Sequence, residues 1–143
     1  ITPREIHYNY MPHLEDEKIE IWAYNMETVT AEKLETVITR GVANTRMKDF
    51  YDLYILQNRN VNIDIKTLQA AFINTAAYRN SIFYKEGKID KDYCLQQIDK
   101  IQNNQRMQRL WQNYVRKHPF VNGITFDQTI SATRDWIEKI DNY

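Results

Sequence analysis

Glycine and proline are scarce, with three of each in 143 residues. So few chain-breakers argue against long irregular loops, low-complexity tracts and tandem repeats. A single cysteine, Cys94, excludes an intrachain disulfide framework and a cysteine-built zinc site. Neither sign of charge is in excess, because 19 Lys and Arg balance 19 Asp and Glu. Such a chain is no bulk binder of nucleic acid or membrane, although a local patch still serves. No apolar run approaches the roughly 20 residues of a membrane span, and no signal-peptide pattern is visible, so a cytoplasmic setting fits. The chain opens at Ile1 without Met and enters a strand-like pattern at once, which reads as a fragment.

What is present suffices for one packed core. Apolar residues make up 43% and aromatics 13%, including ten Tyr and three Trp. Residues 5–10 alternate, and residues 18–24 alternate more cleanly, with Ile19, Ile21 and Ala23 on one face. A polar tip at residues 13–17 separates them. The pattern predicts a β-hairpin over residues 1–24, and because two strands alone are marginal it would complete a larger sheet.

Residues 25–143 read as a helical unit. Asn25 is a suitable N-cap, and Ala31, Leu34, Val37 and Ile38 form an apolar stripe that Gly41 ends. Asn44 or Thr45 is placed to cap a second helix that buries Met47, Phe50, Tyr51, Leu53, Tyr54 and Leu56. Asp64 caps a third, with Ile65, Leu68, Phe72 and Ala76 at helical spacing. Residues 80–90 read as a loop around Gly87. Two helices follow over 91–101 and 103–117, or one with a bend, and His118-Pro119 ends them. Thr125 and Gln128 form a capping box for a last helix, whose Phe126, Ile130, Thr133, Ile137 and Ile140 share one face. The predicted class is α+β and predominantly helical, with an N-terminal hairpin and five or so helices.

The candidate chemistry lies on the two helices that meet at Gly41. Lys33 sits on the first beside the Leu34/Ile38 stripe. Asp49 and Asp52 are three apart on the second, and Lys48 and Asp52 are four apart. A short connection makes such helices antiparallel neighbours, which brings Lys33 toward the acids. An ammonium beside carboxylates suits triphosphate chemistry: the ammonium offsets phosphate charge, and a carboxylate holds the ammonium or a metal. A solvated Lys48–Asp52 pair worth about 0.3–0.5 kcal/mol fits the same spacing.

These residues also resemble a known family. Ala31-Glu32-Lys33-Leu34, followed by Arg46-Met47-Lys48-Asp49-Phe50-Tyr51-Asp52-Leu53, is similar to the paired signatures of AbiEii/AbiGii-type nucleotidyltransferase toxins, and Ile1-Thr2-Pro3 resembles the end of an upstream family stretch. The likeness is dense over residues 1–56 and diffuse beyond. It implies the C-terminal lobe of a polymerase-β-like nucleotidyltransferase from a toxin–antitoxin or phage-defence system of bacteria. Lys33, Arg46 and Lys48 would then bind nucleotide, with Lys33, Asp49 and Asp52 as the catalytic set. The family's Gly-Ser/Thr turn and metal-binding Asp-x-Asp belong to an N-terminal lobe, and no Gly-Ser or Gly-Thr occurs here. The resemblance thus implies an NTP substrate, Mg²⁺ held outside this chain, tRNA or another RNA as acceptor, a cognate antitoxin, and no activity for these 143 residues alone. The competing expectation is a non-catalytic helical module that binds an antitoxin, another protein or RNA, with Lys33 and Asp49 as a structural ion pair.

Other signals are weaker. Asp90-Lys91-Asp92 imitates a metal motif but stands at a helix start, where Asp is a normal cap. Glu15-Asp16-Glu17 reads as a solvated turn. His7, His13 and His118 lack paired metal spacing, and Cys94 reads as a structural thiol. Arg106, Arg109 and Arg116 share one arc of a helix, which fits either an RNA backbone contact or an ordinary solvated face.

Overall fold

A computed structural model describes residues 26–59 and 62–141. Among these, the helices are α1 (Met26–Arg40), α2 (Met47–Asn58), α3 (Ile65–Arg79), α4 (Lys91–Gln102), α5 (Gln105–Lys117) and α6 (Phe126–Asp141), and a two-stranded antiparallel ladder joins β1 (Tyr84–Lys85) to β2 (Lys88–Ile89). The class is α+β and predominantly helical. The hairpin expected over residues 1–24 and the Asn25 cap lie outside the described residues.

Local chemistry sets most element ends. α1 stops at Gly41, whose φ of +53° is the left-handed geometry that other side chains avoid. A Cβ there would also stand 2.8 Å from the Gln97 side-chain amide of α4. Asp64 caps α3 by accepting the Thr67 N–H at 3.0 Å, and Asp90 caps α4 by accepting from Tyr93 at 3.1 Å. Asn104 accepts from Met107 at 2.9 Å, so residues 91–117 are two helices and not one bent helix. The Thr125/Gln128 box is reciprocal, at 2.8 Å and 3.1 Å.

Two expectations need correction. Neither Asn44 nor Thr45 caps α2; Asn44 Oδ1 accepts the Arg46 N–H at 3.0 Å, one step ahead of the helix. Residues 80–90 are not all loop, because Tyr84 pairs with Ile89 and Lys85 with Lys88. Glu86 (φ 49°) and Gly87 (φ 83°) form the two-residue turn, whose paired positive φ values match the right-handed twist of the strands.

The core runs through every helix. α1 packs chiefly on α3, while α6 covers both α2 and α4. The Ala31, Leu34, Val37 and Ile38 stripe is buried, as are Phe50, Leu53 and Leu56 of α2, Leu68 and Phe72 of α3, and Ile130, Ile137 and Ile140 of α6. Burying a Leu, Ile or Phe side chain stabilises by about 1.5–3 kcal/mol. Trp136 adds a fixed direction: its Nε1 donates to the Leu53 carbonyl at 3.0 Å, tying α6 to α2. These contacts hold α1 and α2 together from both sides, which positions Lys33 and the two aspartates.

Candidate active site

The buried side of α2 includes charge. Met47, Phe50, Leu53 and Leu56 face the core, yet Asp49 and Asp52 are also enclosed, at 3% and 1% exposure. Burial of a carboxylate is costly unless cations and donors meet it. Lys33 of α1 supplies the first: its Nζ lies 3.3 Å from Asp49 Oδ1 and 3.0 Å from Asp52 Oδ2. Lys48 Nζ reaches Asp52 Oδ2 at 2.7 Å, and Arg46 Nε lies 3.8 Å from Asp49 Oδ2. The buried acid excludes a fully solvated Lys48–Asp52 pair.

The electrostatics are asymmetric. Burial pushes the Lys33 ammonium toward a lower pKa, but Asp52 and Asp49 outweigh it and hold the group above its ordinary value. Lys33 is therefore a permanent cation at neutral pH. Lys33, Lys48 and Arg46 meet the two carboxylates, and Glu32 lies within electrostatic reach of Lys33. The hydrogen bonding is also incomplete. Among the described residues, the only buried side-chain polar atoms without a hydrogen-bond partner are Asn44 Nδ2, Asp49 Oδ2 and Asp52 Oδ1. All three belong to the stretch from Asn44 to Asp52. Unpaired buried polar atoms are rare in folded proteins and cost roughly 1–3 kcal/mol each. Their concentration in one stretch singles it out as the candidate site.

The structure thus brings Lys33, Arg46, Lys48, Asp49 and Asp52 into one cluster. A profile of the family described as "Nucleotidyl transferase AbiEii toxin, Type IV TA system" matches residues 1–132. The chain belongs to the AbiEii family. No curated protein and no solved structure shows a match to it. The AbiEii match spans the cluster and every helix down to α6, well past the region where the motifs are dense.

The described residues do not fit a metal ion. They contain no group of three or more His, Cys, Asp or Glu side chains able to hold one. The Asp49/Asp52 pair is held by Lys33 and Lys48. Asp90 acts as a cap and Lys91 pairs with Glu138 at 2.7 Å, so the Asp90-Lys91-Asp92 motif is structural. Cys94 is buried, and burial pushes its thiol up to about 12, which leaves it inert.

Arg106, Arg109 and Arg116 are exposed on α5. Arg106 donates to the Val42 carbonyl at 3.1 Å, and Arg116 donates to Asn113. Two members of the neighbourhood escape sequence reasoning. Asn44 looks like an ordinary capping residue, and Tyr114 looks like core. Burial, then Asp52, Tyr51 and Asp49, hold the Tyr114 phenol far above its usual pKa, which puts it within electrostatic reach of both acids. Among the described residues, no helix is long and apolar enough to cross a membrane.

Proposed function

We propose that the α1–α2 cluster is the phosphate-handling wall of a nucleotidyltransferase site. Lys33 neutralises the triphosphate of an NTP and the charge that grows on pyrophosphate as it leaves. Asp49 and Asp52 fix the ammonium and keep it charged, while Arg46 and Lys48 supply further positive charge at the rim. In the transfer, an acceptor hydroxyl oxygen bonds to the α-phosphorus and the bond to the β-phosphate breaks. A cation already in place where that charge develops lowers the barrier without reorganisation cost.

One observation carries this reading. Lys33 touches two enclosed carboxylates, each of which keeps an oxygen without a hydrogen-bond partner. The family match supports the reaction class. We take RNA, with tRNA among the candidates, as the acceptor, and an antitoxin encoded alongside as the regulating partner. Mg²⁺ is expected to sit outside these residues, on carboxylates of an N-terminal lobe, and these 143 residues alone are expected to be inactive.

The test is labelling. Protein expressed from the complete reading frame is incubated with each α-labelled NTP and total RNA. Wild type is expected to label RNA with at least one nucleotide. Lys33→Ala is expected to lower the rate by about 100-fold or more, the scale seen when one preorganised charge-stabilising donor is removed. Equal labelling by wild type and Lys33→Ala would overturn the assignment.

A further inference from the structure

Two threads of rings join α5 to the turn of α2 that carries the acids. In one, Trp111 packs against Phe126 at 6.0 Å, and Phe126 meets Phe50 edge-on at 5.5 Å. In the other, Tyr114 lies 4.4 Å from His118, His118 lies 5.6 Å from Phe120, and Phe120 lies 5.5 Å from Tyr51. Phe50 and Tyr51 are the residues between Asp49 and Asp52. The Trp111–Tyr114 turn of α5 is thus tied to the acid-bearing turn at two places. Its inner end is fixed, because Trp111 is buried and donates Nε1 to the Ile124 carbonyl at 3.1 Å. Tyr114, one turn on, is half-buried, and its ring is held between Trp111 at 5.5 Å and His118.

The ring is held, but the hydroxyl is not. Among the described residues, the Tyr114 hydroxyl makes no hydrogen bond. Burial, with Asp52, Tyr51 and Asp49 in electrostatic reach, keeps the phenol protonated well above neutral pH, so it remains a neutral O–H donor. The cations nearby are already engaged: Lys33 and Lys48 touch the carboxylates, and Arg46 lies 3.8 Å from one of them. We propose that Tyr114 is a phosphate-binding residue of this site, its hydroxyl donating to an oxygen of the two terminal phosphates of the nucleotide, the pair that departs as pyrophosphate. It rests on the nucleotidyltransferase reading above and adds to it a residue outside the α1–α2 pair. The terminal phosphates are chosen because Lys33 meets them in that reading, and Tyr114 lies within reach of the same two carboxylates that hold Lys33. A donor on a ring fixed from both sides gives up little freedom on binding. The same oxygens belong to the bound nucleotide and to free pyrophosphate, and the test addresses each.

The test uses protein from the complete reading frame, titrated by calorimetry with an NTP, the matching nucleoside monophosphate and inorganic pyrophosphate. Tyr114→Phe keeps the ring between Trp111 and His118 and removes only the hydroxyl. It is expected to weaken binding of the NTP and of pyrophosphate by about tenfold or more, the scale of one hydrogen bond to a charged group. Binding of the monophosphate and the thermal midpoint are expected to stay as in wild type. Tyr93→Phe removes a hydroxyl from another half-buried ring, which packs on Phe83 at 6.4 Å, and is expected to change none of these.

A loss shared by the NTP and pyrophosphate, and absent for the monophosphate, supports the assignment. Pyrophosphate affinity equal to that of Tyr93→Phe, or a loss of the same size for the monophosphate, overturns it. So does a fall in thermal midpoint with binding intact, which is what a purely structural hydroxyl would give. Lys33→Ala, titrated in the same way, keeps the two levels apart. If Lys33→Ala loses pyrophosphate and Tyr114→Phe retains it, only this proposal fails. If both retain it, or if wild type binds neither NTP nor pyrophosphate, the reading beneath fails as well.

Discussion

Lys33 and Glu35 stand two residues apart on α1 and belong to two kinds of buried charge. Glu35 is 3% exposed and fully bonded. Its Oε1 accepts from Arg79 Nη1 at 2.5 Å, and its Oε2 accepts from Ser81 at 2.6 Å and Thr39 at 2.7 Å. Burial pushes this carboxyl up, but the bonds from Ser81, Arg79 and Thr39 outweigh it and hold the group below its ordinary value. The cluster on the other side of the helix has the same ingredients and a different result. Asp49 and Asp52 share Lys33 and each keeps one oxygen without a hydrogen-bond partner. The first arrangement fastens α3 to α1. The second leaves two enclosed oxygens unbonded, and on the function proposed above it holds charge for a ligand at a cost to the fold. A buried carboxylate is thus informative for its unmade bonds more than for its made ones.

Substitutions can separate the two. The largest effect is expected at the open cluster: Asp49→Asn should lower transfer by about 100-fold or more, like Lys33→Ala. Its thermal midpoint should stay level or rise, because one enclosed negative charge is gone. Calorimetry and labelling on the same sample check both. Glu35→Ala should do the reverse. It strands the Ser81 and Thr39 hydroxyls and should destabilise by about 1–3 kcal/mol, with transfer retained in the folded fraction. Urea unfolding measures this directly.

The pH dependence should divide in the same way. The folded-state pKa of Glu35 is depressed, so its contribution is complete above about 4.5 and is lost as pH falls through the lower folded value. Glu35→Ala should therefore flatten the acid limb of stability. The Lys33 value is raised, so its contribution persists below about 10.5 and is lost only above that, as pH passes the folded value. Asp49→Asn should bring that alkaline loss to lower pH. The smallest effect serves as a reference. Thr125→Ala breaks the α6 capping box and should cost about 1 kcal/mol with no change in transfer rate, readable as a small drop in thermal midpoint.

Much of this was legible in the chain because the deciding interactions are local. Asp64 with Thr67 and Thr125 with Gln128 are three residues apart, and Gly41 needs only its own geometry, so helix ends follow from composition. The meeting of Lys33 with Asp49 and Asp52 was legible too, because a short link at Gly41 leaves two helices few ways to lie. The hairpin at residues 84–89 was not, since its turn uses Glu86 at positive φ where Asn or Asp is the usual signal. Glu35 was invisible as a structural centre because Arg79 and Ser81 lie 44 and 46 residues away. The enclosure of Asp49 and Asp52 was hidden for the same reason: periodicity marks apolar faces, and only tertiary packing closes one over a charge.

One paired measurement bears on the central claim most directly. Protein from the complete reading frame is prepared as wild type, Asp49→Asn and Glu35→Ala, and each is assayed for NTP-dependent labelling of RNA and for thermal midpoint. The expected result is a crossed one: Asp49→Asn folded and inactive, Glu35→Ala active and less stable. If Asp49→Asn instead labels RNA at the wild-type rate, the open cluster is no more than another internal fastening, and the site assignment is wrong.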